Sequence, residues 1–162
     1  MAPKIKSIET PVTTLKLVAS SSYTQIPEIG KAAAYASGDA FGGKFTYPAP
    51  KAGIIETAIM LDLDDEGIET ELWLFDRDFV ATADNSAFAP SDMDLRKLVA
   101  VISIVNFANA GNNQVGIANN LGLPYHAPEG KLYCQCVTRG VPNIAADNAP
   151  LVALRIIDCE VL

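Results

Sequence analysis

At 162 residues, with 49% apolar and 19% charged side chains, the chain has the length and composition of one folded domain rather than of a disordered segment. Acids outnumber bases 19 to 12, a net charge of −7, which sets the surface against phosphate backbones, so no nucleic-acid partner is expected. No run approaches the ~20 apolar residues of a membrane span, and residues 1–12 lack the apolar segment of an export signal. The expectation is synthesis in the cytosol with no membrane partner.

Residues 1–30 combine a β-prone piece at 13–19 with Pro3, Pro11 and Pro27 and the run Ser20-Ser21-Ser22. Each proline removes a ladder donor, so this stretch reads as an extended N-terminal arm, and residues 31–162 as a single domain. Residues 31–37 predict a helical turn built on Ala32, Ala33 and Ala34, stopped by Gly38, Gly42 and Gly43 ahead of a β-like piece at 44–47. Pro48-Ala49-Pro50 is a connector. Residues 54–63 alternate, with Ile55, Thr57, Ile59, Leu61 and Leu63 on one side and Glu56, Ala58, Met60 and Asp62 on the other, the pattern of a half-buried strand. A turn at 64–67 then leads to 68–75, which reads as the second strand of a hairpin. Leu72 and Leu74 share one face of it, Trp73 and Phe75 the other, so it should be covered on both sides.

From 76 to 90 polar residues dominate, and Phe79 and Phe88 pin what should be an ordered loop. Ser91 predicts a cap on a short helical turn over 92–97, with Asp92 and Asp94 at its positive end. Residues 98–105 are nearly all apolar, which predicts a central strand. A weaker strand at 114–121 is entered through Gly111-Asn112-Asn113, and strands at 132–138 and 151–161 flank a loop at 139–150. Seven or eight short strands and no long helix predict an all-β fold, an antiparallel β-sandwich with a jelly-roll order as one option.

Several chemical patterns are present in part. Gly38 to Lys44 has the spacing of a phosphate loop, yet Phe45 stands where magnesium binding needs Ser or Thr, and Phe45-Thr46-Tyr47-Pro48 reads as a strand instead of a helix. Asp62, Asp64, Glu66 and Gly67 imitate the start of a calcium loop, but Trp73 occupies the twelfth position, which needs a bidentate acid. Asp76, Asp78 and Asp84 surround Arg77 and are expected to bond loop amides and the guanidinium. His126 is the sole histidine, no serine lies in a Gly-x-Ser-x-Gly elbow, and Cys134, Cys136 and Cys159 sit in apolar strands, so no hydrolytic triad is expected. Cys134 and Cys136 share a strand face as small hydrophobes; a bridge from either to Cys159 requires neighbouring strands. No catalytic, cofactor or metal residue is assigned, and no enzyme activity is expected.

Four stretches carry a resemblance. Tyr35-Ala36-Ser37-Gly38-Asp39-Ala40-Phe41-Gly42-Gly43, Glu71-Leu72-Trp73-Leu74-Phe75-Asp76, Asn85-Ser86-Ala87-Phe88-Ala89-Pro90-Ser91-Asp92 and Tyr133-Cys134-Gln135-Cys136-Val137-Thr138-Arg139-Gly140 succeed one another in that order. Together they resemble a family of small virion structural proteins of tailed bacteriophages, over most of the chain from Tyr35 onward. The resemblance implies a non-enzymatic capsid decoration or cement protein, seated on the outer face of the major capsid protein as a homo-oligomer, with a trimer favoured. The location it implies is the capsid surface of the virion, after synthesis in the host cytoplasm. A neck or tail component is the alternative. A carbohydrate-binding or glycan-cleaving β-sandwich, suggested by Trp73, Tyr125 and the loop acids, is a third reading from a different class.

Overall fold

A computed structural model describes residues 16–19, 22–30, 34–145 and 148–159. Ten strands and one four-residue helix occur in chain order among them. They are β1 (Lys16–Ala19), β2 (Thr24–Gln25), β3 (Ala40–Pro48), β4 (Ala52–Asp62), β5 (Thr70–Phe75), α1 (Asp92–Leu95), β6 (Leu98–Ile104), β7 (Phe107–Asn109), β8 (Gln114–His126), β9 (Lys131–Thr138) and β10 (Leu151–Asp158). One sheet has the order β1-β10-β4-β8-β7, with β2 also on β10; the other has the order β3-β9-β5-β6. All the pairings are antiparallel, and the two sheets pack face to face as the expected sandwich.

The core lies between them. Leu72, Leu74, Ile102, Cys134 and Cys136 from the four-stranded sheet meet Ile55, Met60, Val152, Leu154 and Ile156 from the other, all nearly inaccessible to water. A polar tie crosses this layer. The Tyr47 hydroxyl donates to the Leu154 carbonyl (3.1 Å) and accepts from the Leu154 amide (3.0 Å), so its burial leaves no polar atom unmatched.

Two expectations about the strands change in the structure. Residues 54–63 and 68–75 do not form a hairpin, because β4 bonds to β10 and β8 while β5 bonds to β9 and β6 in the opposite sheet. The turn between them is a crossover. It is shaped by Asp62, whose carboxylate accepts from the Asp64 amide (2.9 Å) and the Gly67 amide (2.6 Å). Secondly, β6 is an edge strand and not a central one; its apolar run reflects packing on one face plus exposed valines. The described part of 1–30, read as an extended arm, lies along the sandwich. β1 and β2 pair with β10, and Ile26 and Ile29 enter the core. Prolines 3 and 11 of that stretch lie outside the described residues, as do 31–33 of the expected helical turn; residues 34–37 are not helical.

The alternation over 54–63 also changes phase. Registers slip at Glu56 against both neighbours: it is the extra residue of a bulge against β10, whereas on the other side β8 sets three residues, 120–122, opposite it, with Asn120 and Gly122 at positive φ (55° and 57°). Ile55 therefore faces the core before the bulge, and Ala58, Met60 and Asp62 face it afterwards. β8 is longer than the 114–121 expected, since the same irregularity lets it continue to His126.

Candidate functional site

The outer face of the four-stranded sheet is where the distinctive wording of the chain collects. On β5 the side chains alternate: Leu72 and Leu74 point into the core, while Glu71, Trp73 and Phe75 point outward. Residues 76–91 fold back over that outer face. Phe79 is buried and stacks on Phe75 with ring centroids 4.1 Å apart, forming a second apolar cluster with Tyr133, which Trp73 and Leu98 adjoin. The half-buried Trp73 meets Phe88 at 4.9 Å with the rings tilted by 59°. Both expected pins therefore hold, and the second cover of β5 is the chain's own loop.

Polar groups fix that loop. Gln135, on β9 between the two core cysteines, is fully buried and makes three bonds. Its amide nitrogen donates to the Thr82 carbonyl (2.6 Å) and the Gly42 carbonyl (3.1 Å), and its oxygen accepts from the Thr82 amide (3.1 Å). Asp84 accepts from the Gly42 amide (2.7 Å) and from the Tyr35 hydroxyl (2.8 Å), which itself accepts from the Gly30 amide (3.2 Å). Burial, reinforced by the Asp84 carboxylate, pushes the Tyr35 hydroxyl pKa far up, so it stays a neutral donor. Lys44 bonds Asp78 and the Phe79 carbonyl (2.8 Å), with its hydrogen bond holding the Asp78 carboxyl below the usual range.

The rim is built from the ends of β5 and β9 and the turn before β3. Arg139 donates to Glu71 (2.6 Å), as does the Trp73 indole N–H (3.0 Å). The Arg139 hydrogen bond keeps the Glu71 carboxyl below its ordinary value. Ser37 Oγ donates to the Arg139 carbonyl (3.0 Å), and the Gly38 amide donates to the Thr138 carbonyl (2.7 Å). Gly38 has φ 98°, a conformation that disfavours a side chain and explains a glycine in this turn. The Ala40 amide bonds Ser86 O (2.8 Å), the Asn85 amide bonds Ala40 O (3.0 Å) and the Phe88 amide bonds Gly38 O (3.0 Å), so the turn and the loop are stitched along their backbones. At the far end of the loop Ser91 caps α1 as expected, accepting from the Asp94 amide (3.2 Å).

The other singled-out residues lie apart. Lys44 sits in β3, where no helix comes next to present amides to a phosphate. Asp64 accepts from the Ala145 amide and the Asn148 side chain (2.8 Å), which makes the acidic turn a staple for the 142–150 loop. Of the three acids around Arg77, Asp76 lies 3.8 Å from the guanidinium, while Asp78 and Asp84 serve Lys44, Tyr35 and loop amides. His126 is exposed at the end of β8, in the opposite sheet from Cys134 and Cys136, whose thiols are buried and pushed up in pKa. Cys159 comes directly after β10, so neither core cysteine has it on a neighbouring strand, and all three are free. Among the described residues no cluster of His, Cys, Asp and Glu is able to hold a metal ion. A small pocket lies between Phe41, Met60, Asp62, Ile68 and Phe107, lined mainly by apolar side chains.

Gln135 is the residue that periodicity misses. It occupies an outward position in β9, where a polar side chain ordinarily meets solvent, and only the loop above it reveals its role. Comparison with protein-family models, curated proteins and solved structures finds no match for the chain. No helix among the described residues is long and apolar enough to cross a membrane.

Proposed function

We propose that this chain is a non-enzymatic structural protein of a tailed-bacteriophage virion, a capsid decoration or cement protein that binds the outer face of the major capsid protein and associates with copies of itself. One observation carries the reading beyond wording alone. The four stretches that bear the resemblance, scattered from Tyr35 to Gly140 in sequence, meet on one face of the sandwich and bond to one another there. They make a single structural unit, as expected if the shared wording specifies a shared scaffold.

The chemistry of that unit favours architecture over reaction. Gln135, Asp84 and Lys44 are engaged in bonds that hold a loop to a sheet, and Glu71 and Arg139 in a pair that ties β5 to the end of β9. The indole of Trp73 is covered by Phe88 and tied to Glu71, which gives a sugar-stacking platform less support than the open ring such recognition uses. An acidic surface suits a position away from packaged DNA. Mass spectrometry and cryo-microscopy of purified particles test the reading. The expected result is this chain as outer-face density in hundreds of copies, and its absence from particles overturns it. A copy number in the tens moves it to the neck or tail.

A further inference from the structure

The loop over the four-stranded sheet is held in two different ways. From Thr82 onward Gln135 and the backbone bonds of Asn85 and Phe88 tie it, with Asp84 the one carboxylate engaged. Residues 76–81 are held by charge. Lys44 on β3 and Lys97 directly before β6 reach in from the two outermost strands and meet at Asp78, Lys44 on its carboxylate and Lys97 on its carbonyl at 2.7 Å. Lys97 also bonds Asp94 (2.7 Å), a buried carboxylate that accepts from the Val80 amide and the Ser91 hydroxyl (2.7 Å). Arg77 lies 3.8 Å from Asp76, and Lys131 on β9 lies 3.5 Å from Glu129, which accepts from the Tyr133 hydroxyl (2.7 Å). Asp92 and Arg96, exposed at the two ends of α1, offset each other. Aromatic rings lie beneath the segment. Phe79 stacks on Phe75 beside Tyr133, with the Lys44 ammonium 5.4 Å from the Phe79 ring centre and the Lys131 ammonium 5.0 Å from that of Tyr133.

We propose that residues 76–81 form an acid-released lid, latched by this balanced set of ion pairs and covering the Phe75–Tyr133 aromatic cluster. At neutral pH the four cations face four carboxylates and the local charge is close to zero. A single exposed pair of this kind is weak, and its loss alone would leave Phe79 in place. The set behaves differently because protonation does more than remove attraction. It leaves four cations around six residues, two of them converging on Asp78, and their repulsion acts directly on the lid. Hydrogen bonds from Lys44 and Lys97 hold the Asp78 and Asp94 carboxyls below their ordinary value of 3.8. The latch is therefore complete above that value and is lost as pH falls through the lower folded ones. The core between the sheets is built from uncharged side chains, so the lid opens while the sheets stay together.

The proposal stands on side-chain geometry and does not depend on the virion reading. Acid titration of the full chain with Nile red, a neutral dye for exposed apolar surface, tests it beside far-UV circular dichroism. The wild type should gain dye fluorescence as pH falls below the ordinary aspartate value of 3.8 while it keeps its sheet signal. Brief pepsin digestion in that range should cut within 76–81 ahead of the strands. Two variants separate a charge latch from a plain loss of stability. Asp78→Asn removes a negative charge and should shift the dye transition to higher pH, whereas Lys44→Met removes a positive one and should shift it to lower pH. Lys44→Gln replaces Lys44→Met if that variant lacks the sheet signal at neutral pH. Fluorescence that never rises, or rises only as the sheet signal is lost, overturns the proposal. So do variants that shift in the same direction, or pepsin cuts in the strands that precede any within 76–81.

Discussion

The two faces of the four-stranded sheet are held by different physics. Its inner face is apolar apart from the Tyr47 tie to Leu154: Leu72, Leu74, Cys134 and Cys136 meet the other sheet and rely on burial. Its outer face is mixed. Phe75, Phe79 and Tyr133 pack there, but the loop above them is positioned by Gln135, Asp84 and Lys44, and the Glu71–Arg139 pair ties β5 to the end of β9 beside it. A non-directional core tolerates reshaping as long as volume is kept, whereas a cover fixed by directional bonds has one geometry or none. The face that holds the sandwich together is thus generic, and the face that distinguishes this protein is specific.

That contrast predicts a ranking of mutational costs. Leu72→Ala on the inner face should cost about 4 kcal/mol, as a fully buried leucine truncated between two sheets. Trp73→Ala, one residue away but half-buried on the outer face, should cost about 2 kcal/mol, since the ring is only partly withdrawn from water. Chemical denaturation of both variants measures the gap, and equal costs would mean that the loop cover is as tight as the core. Gln135→Ala should cost about 2 kcal/mol, because it strands the Thr82 amide and two carbonyls under the loop. Hydrogen exchange should then show 76–90 opening ahead of the core strands, where the wild type protects both.

The smallest expected effect has a pH signature. Arg139→Ala should cost about 1 kcal/mol near neutral pH, a modest value for a partly exposed pair. The Glu71 carboxyl is held below its ordinary value of 4.5, chiefly by the Arg139 hydrogen bond, so the folded state keeps the charge to lower pH than the unfolded chain does. The contribution is complete above the unfolded value and disappears as pH falls through the lower folded one. Wild type and variant should therefore converge in stability as the pH falls below the ordinary carboxylate range, as read from thermal melts across the acid range.

The strands of this protein were legible where burial is one-sided and regular. The 132–138 segment, the described strand part 151–158 of the 151–161 segment, the Ser91 cap and the Phe79 and Phe88 pins correspond to β9, β10, α1 and the loop contacts, with 160–161 outside the described residues. Alternation failed at Glu56, because a bulge resets the phase without leaving a mark in hydrophobicity. It failed again at 98–105, where exposed valines on an edge strand read like the buried valines of a central one.

The sequence by itself determined fold class, since period-two patterning and turn residues are local properties of the chain. It also marked the outward residues of β5 as needing a cover. Only the tertiary structure decided what that cover is, that β4 and β5 lie in different sheets, and that Gln135 is a buried clamp. Those facts depend on residues far apart in the chain meeting in space, as Gln135 meets Thr82 across 53 positions. No local pattern records such a meeting, because the partners of a hydrogen bond are chosen by the fold and not by their neighbours in the chain.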